Sequence, residues 1–173
     1  MNSERTLASV PRRIATYGID IGIVFVALLA FQALLYPVNP LLRGTAVSGI
    51  TLHAWVTLTV SLPVAIFFGL SWGSRSGATP GMRLTRLRVR GAEGERVPYA
   101  RALLRGVVLL APFELNHFVL FYPQPIWDAP SPGFRSGFLA VYAFVLLYLA
   151  ATLWTPRRQG PHDLAARTIV IRS

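Results

Sequence analysis

A helical membrane bundle with four spanning segments and both chain ends in the cytoplasm is the fold class this sequence predicts. Composition is the first ground: 53% of the 173 residues are hydrophobic and only 14% are charged, too apolar for a water-soluble domain of this size. The second is four apolar stretches, 14–36, 52–72, 102–122 and 134–154, each near the roughly 20 residues that carry a helix across about 30 Å of hydrocarbon. The third is where the arginines fall. Three precede the first stretch, eight run from Arg75 through Arg105 and four follow the last stretch, against Arg43 and Arg135 alone in the other two loops. Basic residues collect on the cytoplasmic side, so both termini and the middle loop are expected there, and the cell (inner) membrane is the expected location.

Each element follows from local pattern. Arg5, Arg12 and Arg13 precede a first apolar run well beyond the 7–15 residues typical of a signal peptide, so it reads as a retained helix. Tyr36, Trp72, Tyr122, Trp127 and Trp154 mark the ends of the runs, as aromatic residues do at headgroup level. In the cytoplasmic loop 73–101, Arg83 to Arg90 alternates polar with apolar, and Gly91 to Glu95 follows as a turn-rich break. That pattern predicts a short β-hairpin. The tail 156–173 ends in Thr168-Ile169-Val170-Ile171, which is β-prone and either pairs with the hairpin or frays. No internal repeat stands out, although two helix pairs leave a weak one open, and residues 1–173 read as one membrane domain.

Several chemistries are excluded. There is no cysteine, and all 17 basic residues are arginine, which removes thiolate metal sites, Cys nucleophiles and every lysine-dependent scheme. His53, His117 and His162 lack metal-ligand spacing, so neither metal nor cofactor is expected. Gly69-Leu70-Ser71-Trp72-Gly73 matches a hydrolase elbow, yet it ends a membrane helix rather than joining strand to helix. An enzyme is not expected. The net charge of +10 borders apolar segments, which points to the bilayer rather than to nucleic acid.

The polar residues inside the stretches are the candidates for function. Asp20 lies two turns after Arg13 on the same helix face, about 10 Å away and too far for a direct pair. An unpaired carboxylate in hydrocarbon is costly, so Asp20 needs a partner from elsewhere; Arg101 and Arg105, at the start of the third helix, lie at similar depth. Asp20 then either binds a cation or proton or makes a structural ion pair. Gly18 and Gly22 flank it as a close-approach face, and Thr57, Ser61, Ala65, Gly69 and Gly73 place one small residue per turn along the second helix. The two small-residue faces are expected to pack on each other. On the third helix Glu114 and His117, three apart, are surface neighbours, with Asn116 beside them and Pro112 before them. They either relay protons and bind a cation or reach the outer headgroups.

Three pieces, in order along nearly the whole chain, resemble the RDD family of membrane proteins. They are Arg13 with Asp20; Thr79-Pro80-Gly81-Met82-Arg83 running on to Arg101-Ala102-Leu103-Leu104-Arg105; and His162-Asp163 followed by the terminal β-prone segment. Met82 stands where the family usually has Lys, Arg86 and Arg167 stand in usual glycine slots, and Thr16 replaces a common Ala. The resemblance implies that Arg13, Asp20 and Asp163 are the signature residues, forming with His162, Arg105 and Arg101 a cytoplasmic-side polar cluster. It also implies transport of an undefined ligand, with cation/proton exchange associated with some members.

Two functions follow as expectations. One is exchange of a monovalent cation for protons, with Asp20 loading the ion, Glu114, His117 and Asn116 forming the outer leg, and a homo-oligomer supplying surface around the path. The other is a non-transporting scaffold or accessory subunit whose arginine-rich loop docks anionic lipid or a cytoplasmic partner.

Overall fold

The computed structural model describes residues 7–39, 47–129 and 135–173; Arg5, Arg43 and Phe134 lie outside them. Helix α1 (Val10–Leu35) ends in a 3-10 turn, Tyr36–Val38. Helix α2 (Gly49–Val56) passes through a π-helical turn, Thr57–Ser61, into α3 (Leu62–Gly73). A short helix α4 (Pro80–Leu84) leads into strand β1 (Leu87–Gly91). Then come α5 (Tyr99–Phe121), α6 (Gly137–Trp154), the short α7 (Pro161–Ala165) and strand β2 (Thr168–Arg172). Four helical units, Val10–Val38, Gly49–Gly73, Tyr99–Asp128 and Gly137–Trp154, are long and apolar enough to cross a membrane. They fall on the four expected stretches.

Prolines inside two spans show how the backbone stays satisfied where no water can help. Pro63 has no N–H for the Thr59 carbonyl, its i−4 acceptor. The helix widens so that the Leu62 N–H bonds Thr57 O, and Gln32 Nε2 of α1 donates to Thr59 O at 3.3 Å and to its Oγ1 at 3.0 Å. Pro112 likewise frees the Val108 carbonyl, and the Tyr148 hydroxyl of α6 donates to it. In each case a neighbouring helix supplies the missing donor, which ties that neighbour to the bundle.

Two expectations about packing need correction. The small-residue seam faces α5, not α1: a Cβ on Gly69 would lie 3.2 Å from Leu103 Cα, and one on Gly106 would lie 3.2 Å from the Ala65 carbonyl. Among the described residues nothing lies within 4 Å of a Cβ added at Gly18 or Gly22, and both are exposed. The reason is that α1 is carried by the short helix α4, which meets the Asp20 face of α1.

The loop hairpin is replaced by a longer-range pairing. Residues Pro80–Leu84 are helical, and β1 pairs antiparallel with β2 from Leu87↔Arg172 to Gly91↔Thr168. Only Arg96 and Val97 separate the turn from Pro98, which has no N–H and caps the start of α5, so a return strand has no room. The tail supplies Ile169, Val170 and Ile171 instead, all buried.

The structure also contains a repeat that the sequence conceals. Each pair of spanning units ends in a short helix with proline in its first turn, then a left-handed arginine, then a strand. Arg86 has φ +54° and Arg167 φ +49°, a conformation that favours glycine, the residue the resemblance leads one to expect at both slots. The strands cross at Val89↔Val170, and matching end bonds run from Ser173 N to Arg86 O (2.9 Å) and from Ala92 N to Arg167 O (3.1 Å). A tight core of Ala8, Phe68, Trp72, Met82, Leu87, Val89, Val97 and Val170 lies at this end, while the mid-sections of the spans present Ile21, Phe25, Val145 and Leu146 outward.

Gly106→Leu is expected to lower the unfolding temperature in detergent, since overpacking at so close a contact costs about 1–3 kcal/mol. Gly18→Leu, into space that is open within one chain, is expected to leave the unfolding temperature of the monomer unchanged.

Candidate functional site

A buried ion-pair cluster joins three chain segments at the strand-bearing end. Asp163, fully buried, occupies the first turn of α7 and accepts its own Gly160 N–H at 3.3 Å. Its Oδ1 accepts Arg105 Nε at 3.0 Å and Nη2 at 2.8 Å, and the Thr168 hydroxyl at 3.0 Å. Its Oδ2 accepts Arg13 Nη1 at 3.4 Å. Arg105, also fully buried, lies with its guanidinium 3.9 Å over the Trp72 ring. Burial alone pushes the Asp163 carboxyl up, but Arg105, His162 and Arg13 outweigh it and hold the pKa at about 2. Two cations thus face one anion. His162, 5% exposed, has its Nε2 3.4 Å from both Asp163 Oδ2 and the Tyr17 hydroxyl. Burial, and then the two arginines, lower its pKa to about 4 against the pull of Asp163. It is neutral at neutral pH, and its Nδ1, Arg13 Nε and Arg105 Nη1 are buried without a hydrogen-bond partner.

Asp20 stands apart from this cluster, which corrects the expectation that an arginine answers it. It is 1% exposed; its Oδ2 accepts the Thr79 hydroxyl at 2.5 Å and its Oδ1 the Gly81 N–H at 2.8 Å. Thr79 also caps α4, accepting Met82 N at 3.1 Å. The carboxylate therefore sits at a helix start, where free N–H groups favour it without a cation. A Cβ on Gly81 would come 2.7 Å from Asp20 Oδ1, so glycine is what allows the approach. In this geometry Asp20 is an anchor between α1 and the loop.

Arg101 does not join the cluster either. It donates to the carbonyls of Ala166 (3.0 Å) and Arg167 (2.8 Å), at the end of α7, and pairs with Glu95 at 3.2 Å. Other arginines also cap helix ends. Arg96 donates twice to Gly73 O at the end of α3, and Arg135 donates to the carbonyls of Val119, Tyr122 and Gln124 at the end of α5. Much of the basic charge is spent on orphan helix carbonyls.

The second polar group lies toward the other end of the bundle. Glu114 Oε1 accepts the Ser61 hydroxyl and lies 3.4 Å from His117 Nδ1; its Oε2 accepts the Thr57 hydroxyl at 3.2 Å and lies 3.3 Å from His53 Nε2. The Glu114 side chain is 31% exposed, and those of His53 and His117 are 24% and 21%. Ser61 and Thr57 come from the turn that Pro63 widens, so the backbone irregularity and the site coincide. Asn116, on another side of α5, makes no hydrogen bond among the described residues. His53 was not legible as a partner because 61 residues separate it from Glu114; only the pairing of α2 with α5 brings it in. Phe118, Phe121 and Tyr122 surround its ring at 6.0–6.3 Å.

Between the two groups, α1 stands off from its neighbours. It is hydrogen-bonded near its start by Arg13, Thr16, Tyr17 and Asp20 and near its end by Gln32. A cleft of about 430 Å³ lies in between, lined by α1, α3, α5 and α6; Tyr17, Thr152 and His162 stand at one end and Ser61 and His117 at the other, with apolar side chains along its length.

Four apolar spans held by a buried arginine and carboxylate lock define a small multi-pass helical membrane protein. The chain belongs to the RDD family, whose sequence profile matches residues 7–167. Comparison with curated proteins finds no match, nor does comparison with solved structures.

The cluster sets an acid response with two limbs. His162 and Asp163 both hold fewer protons when folded than when unfolded, since their pKa values fall from 6.5 to about 4 and from 3.8 to about 2. Their contribution is complete above about pH 6.5. It declines through His162 as pH falls toward 4, then through Asp163 as pH falls further toward 2. Unfolding temperature followed against pH for the wild type and His162→Gln is expected to lose the upper limb in the variant and keep the lower.

Proposed function

We propose that this chain is a transport-type protein of the cell membrane, with both termini in the cytoplasm, that exchanges a proton for a monovalent cation at Glu114. One observation carries the reading: a partly buried carboxylate, within a spanning helix, is held among two imidazoles and two hydroxyls. Carboxylates and histidines at such depth serve ion and proton pathways. The Arg13, Asp163 and Arg105 lock and the Asp20 anchor then form the frame, and the protein is not an enzyme. The open glycine face at Gly18 and Gly22 suits a second copy, which would enclose more of the path.

A second reading is favoured by the satisfied burial of Asp20 and Asp163: a scaffold or accessory subunit whose exposed Arg75, Arg83 and Arg86 meet anionic headgroups or a cytoplasmic partner.

Purified protein in proteoliposomes carrying an internal pH dye separates the two. Pulses of sodium, potassium or lithium are expected to change the internal pH in the wild type and not in Glu114→Gln, at equal unfolding temperature. No response from well-folded wild type would favour the scaffold.

A further inference from the structure

The lateral cleft does not match a bare cation. Its lining from Ile21 through Leu28 on α1, with Val60, Val64 and Phe68 across from them and Leu109, Phe113 and Leu149 beside them, is hydrocarbon. Its volume of about 430 Å³ lies in the range that small-molecule sites occupy. From Tyr17 to Leu28 along α1 it runs about 16 Å at ~1.5 Å per residue, close to half of the ~30 Å hydrocarbon thickness, the reach of one acyl chain in one leaflet. It opens toward the bilayer, where Ile21, Phe25 and Leu149 are each more than half exposed.

The end at Tyr17 and His162 is chemically distinct. His162, nineteen-twentieths buried, lines the cleft and keeps an unpartnered Nδ1. Behind it two buried arginines face the single carboxylate of Asp163, and Arg105 Nη1 and Arg13 Nε are unpartnered as well. One positive charge is left over among these buried groups, beside two guanidinium nitrogens without a partner. An anion at the mouth would answer both.

We propose that this cleft is the binding site of an anionic membrane lipid, with one acyl chain along α1 and its headgroup at Tyr17 and His162, held by the excess charge of Arg13 and Arg105. Charge complementarity and the length of the apolar run point to the same occupant. The site is distinct from the exposed loop arginines, and it does not depend on ion exchange at Glu114.

Native mass spectrometry of the full chain, delipidated in detergent and titrated with phosphatidylglycerol or with phosphatidylcholine of identical chains, tests this. Phosphatidylglycerol is expected to bind roughly fivefold more tightly or better, the scale of one charge in such a setting. Leu28→Trp, which fills the cleft, should remove the tight binding, and Tyr17→Phe should erode the headgroup preference, both at retained unfolding temperature. Equal binding of the two lipids overturns the proposal. So does a preference that survives Leu28→Trp, which assigns it to the surface arginines. Inorganic phosphate raising the unfolding temperature as much as the anionic lipid would overturn the role of the chain.

Discussion

The carboxylate of Asp163 is the point on which the rest of the structure depends. It is out of water, in the first turn of a five-residue helix, and receives Arg105 from α5, Arg13 from α1 and the Thr168 hydroxyl from the start of β2. A buried ion pair is weak evidence for stability by itself, because desolvation offsets the attraction, but removing one partner strands a charge and is severely destabilising. Here the stranded groups would be two arginines at once. The cluster therefore acts as a condition on assembly: α1, α5 and the tail must converge before any of these charges is tolerable.

With the tail held, β2 is in place for β1, and β1 in turn positions α4. Gly81 and Thr79 of α4 then receive Asp20, so α1 is gripped a second time. Arginines at positions 96 and 101 close the exposed ends of α3 and α7 around the same platform. The middle of α1 is left unsupported, and the cleft is the space this leaves. Frame and cavity have one cause: α1 is fixed near its ends.

The spans were legible because crossing hydrocarbon dictates length and apolarity residue by residue, and local composition is enough to see it. Arg13, Asp163, Arg105 and His162 do meet, as the resemblance implies. What sequence did not carry was partnership. Asp20 looked as if it needed a cation, whereas its partner is a hydroxyl and a backbone N–H at Gly81, and backbone donors leave no mark in a sequence. The β pairing joins strands separated by two spanning helices, and it wins over the hairpin only because Pro98 stops the return strand. Gly18 and Gly22 fit a packing motif that nothing fills among the described residues of one chain. His53 appeared isolated until α2 was set against α5.

Amide hydrogen exchange in lipid nanodiscs, comparing the wild type with Asp163→Asn, tests the central claim most directly. If the carboxylate couples the platform, protection falls together in 7–20, 79–91 and 161–172 while 101–121 and 137–154 keep theirs. Loss confined to 161–172 would contradict it, since the tail would then be held by Asp163 without holding anything else.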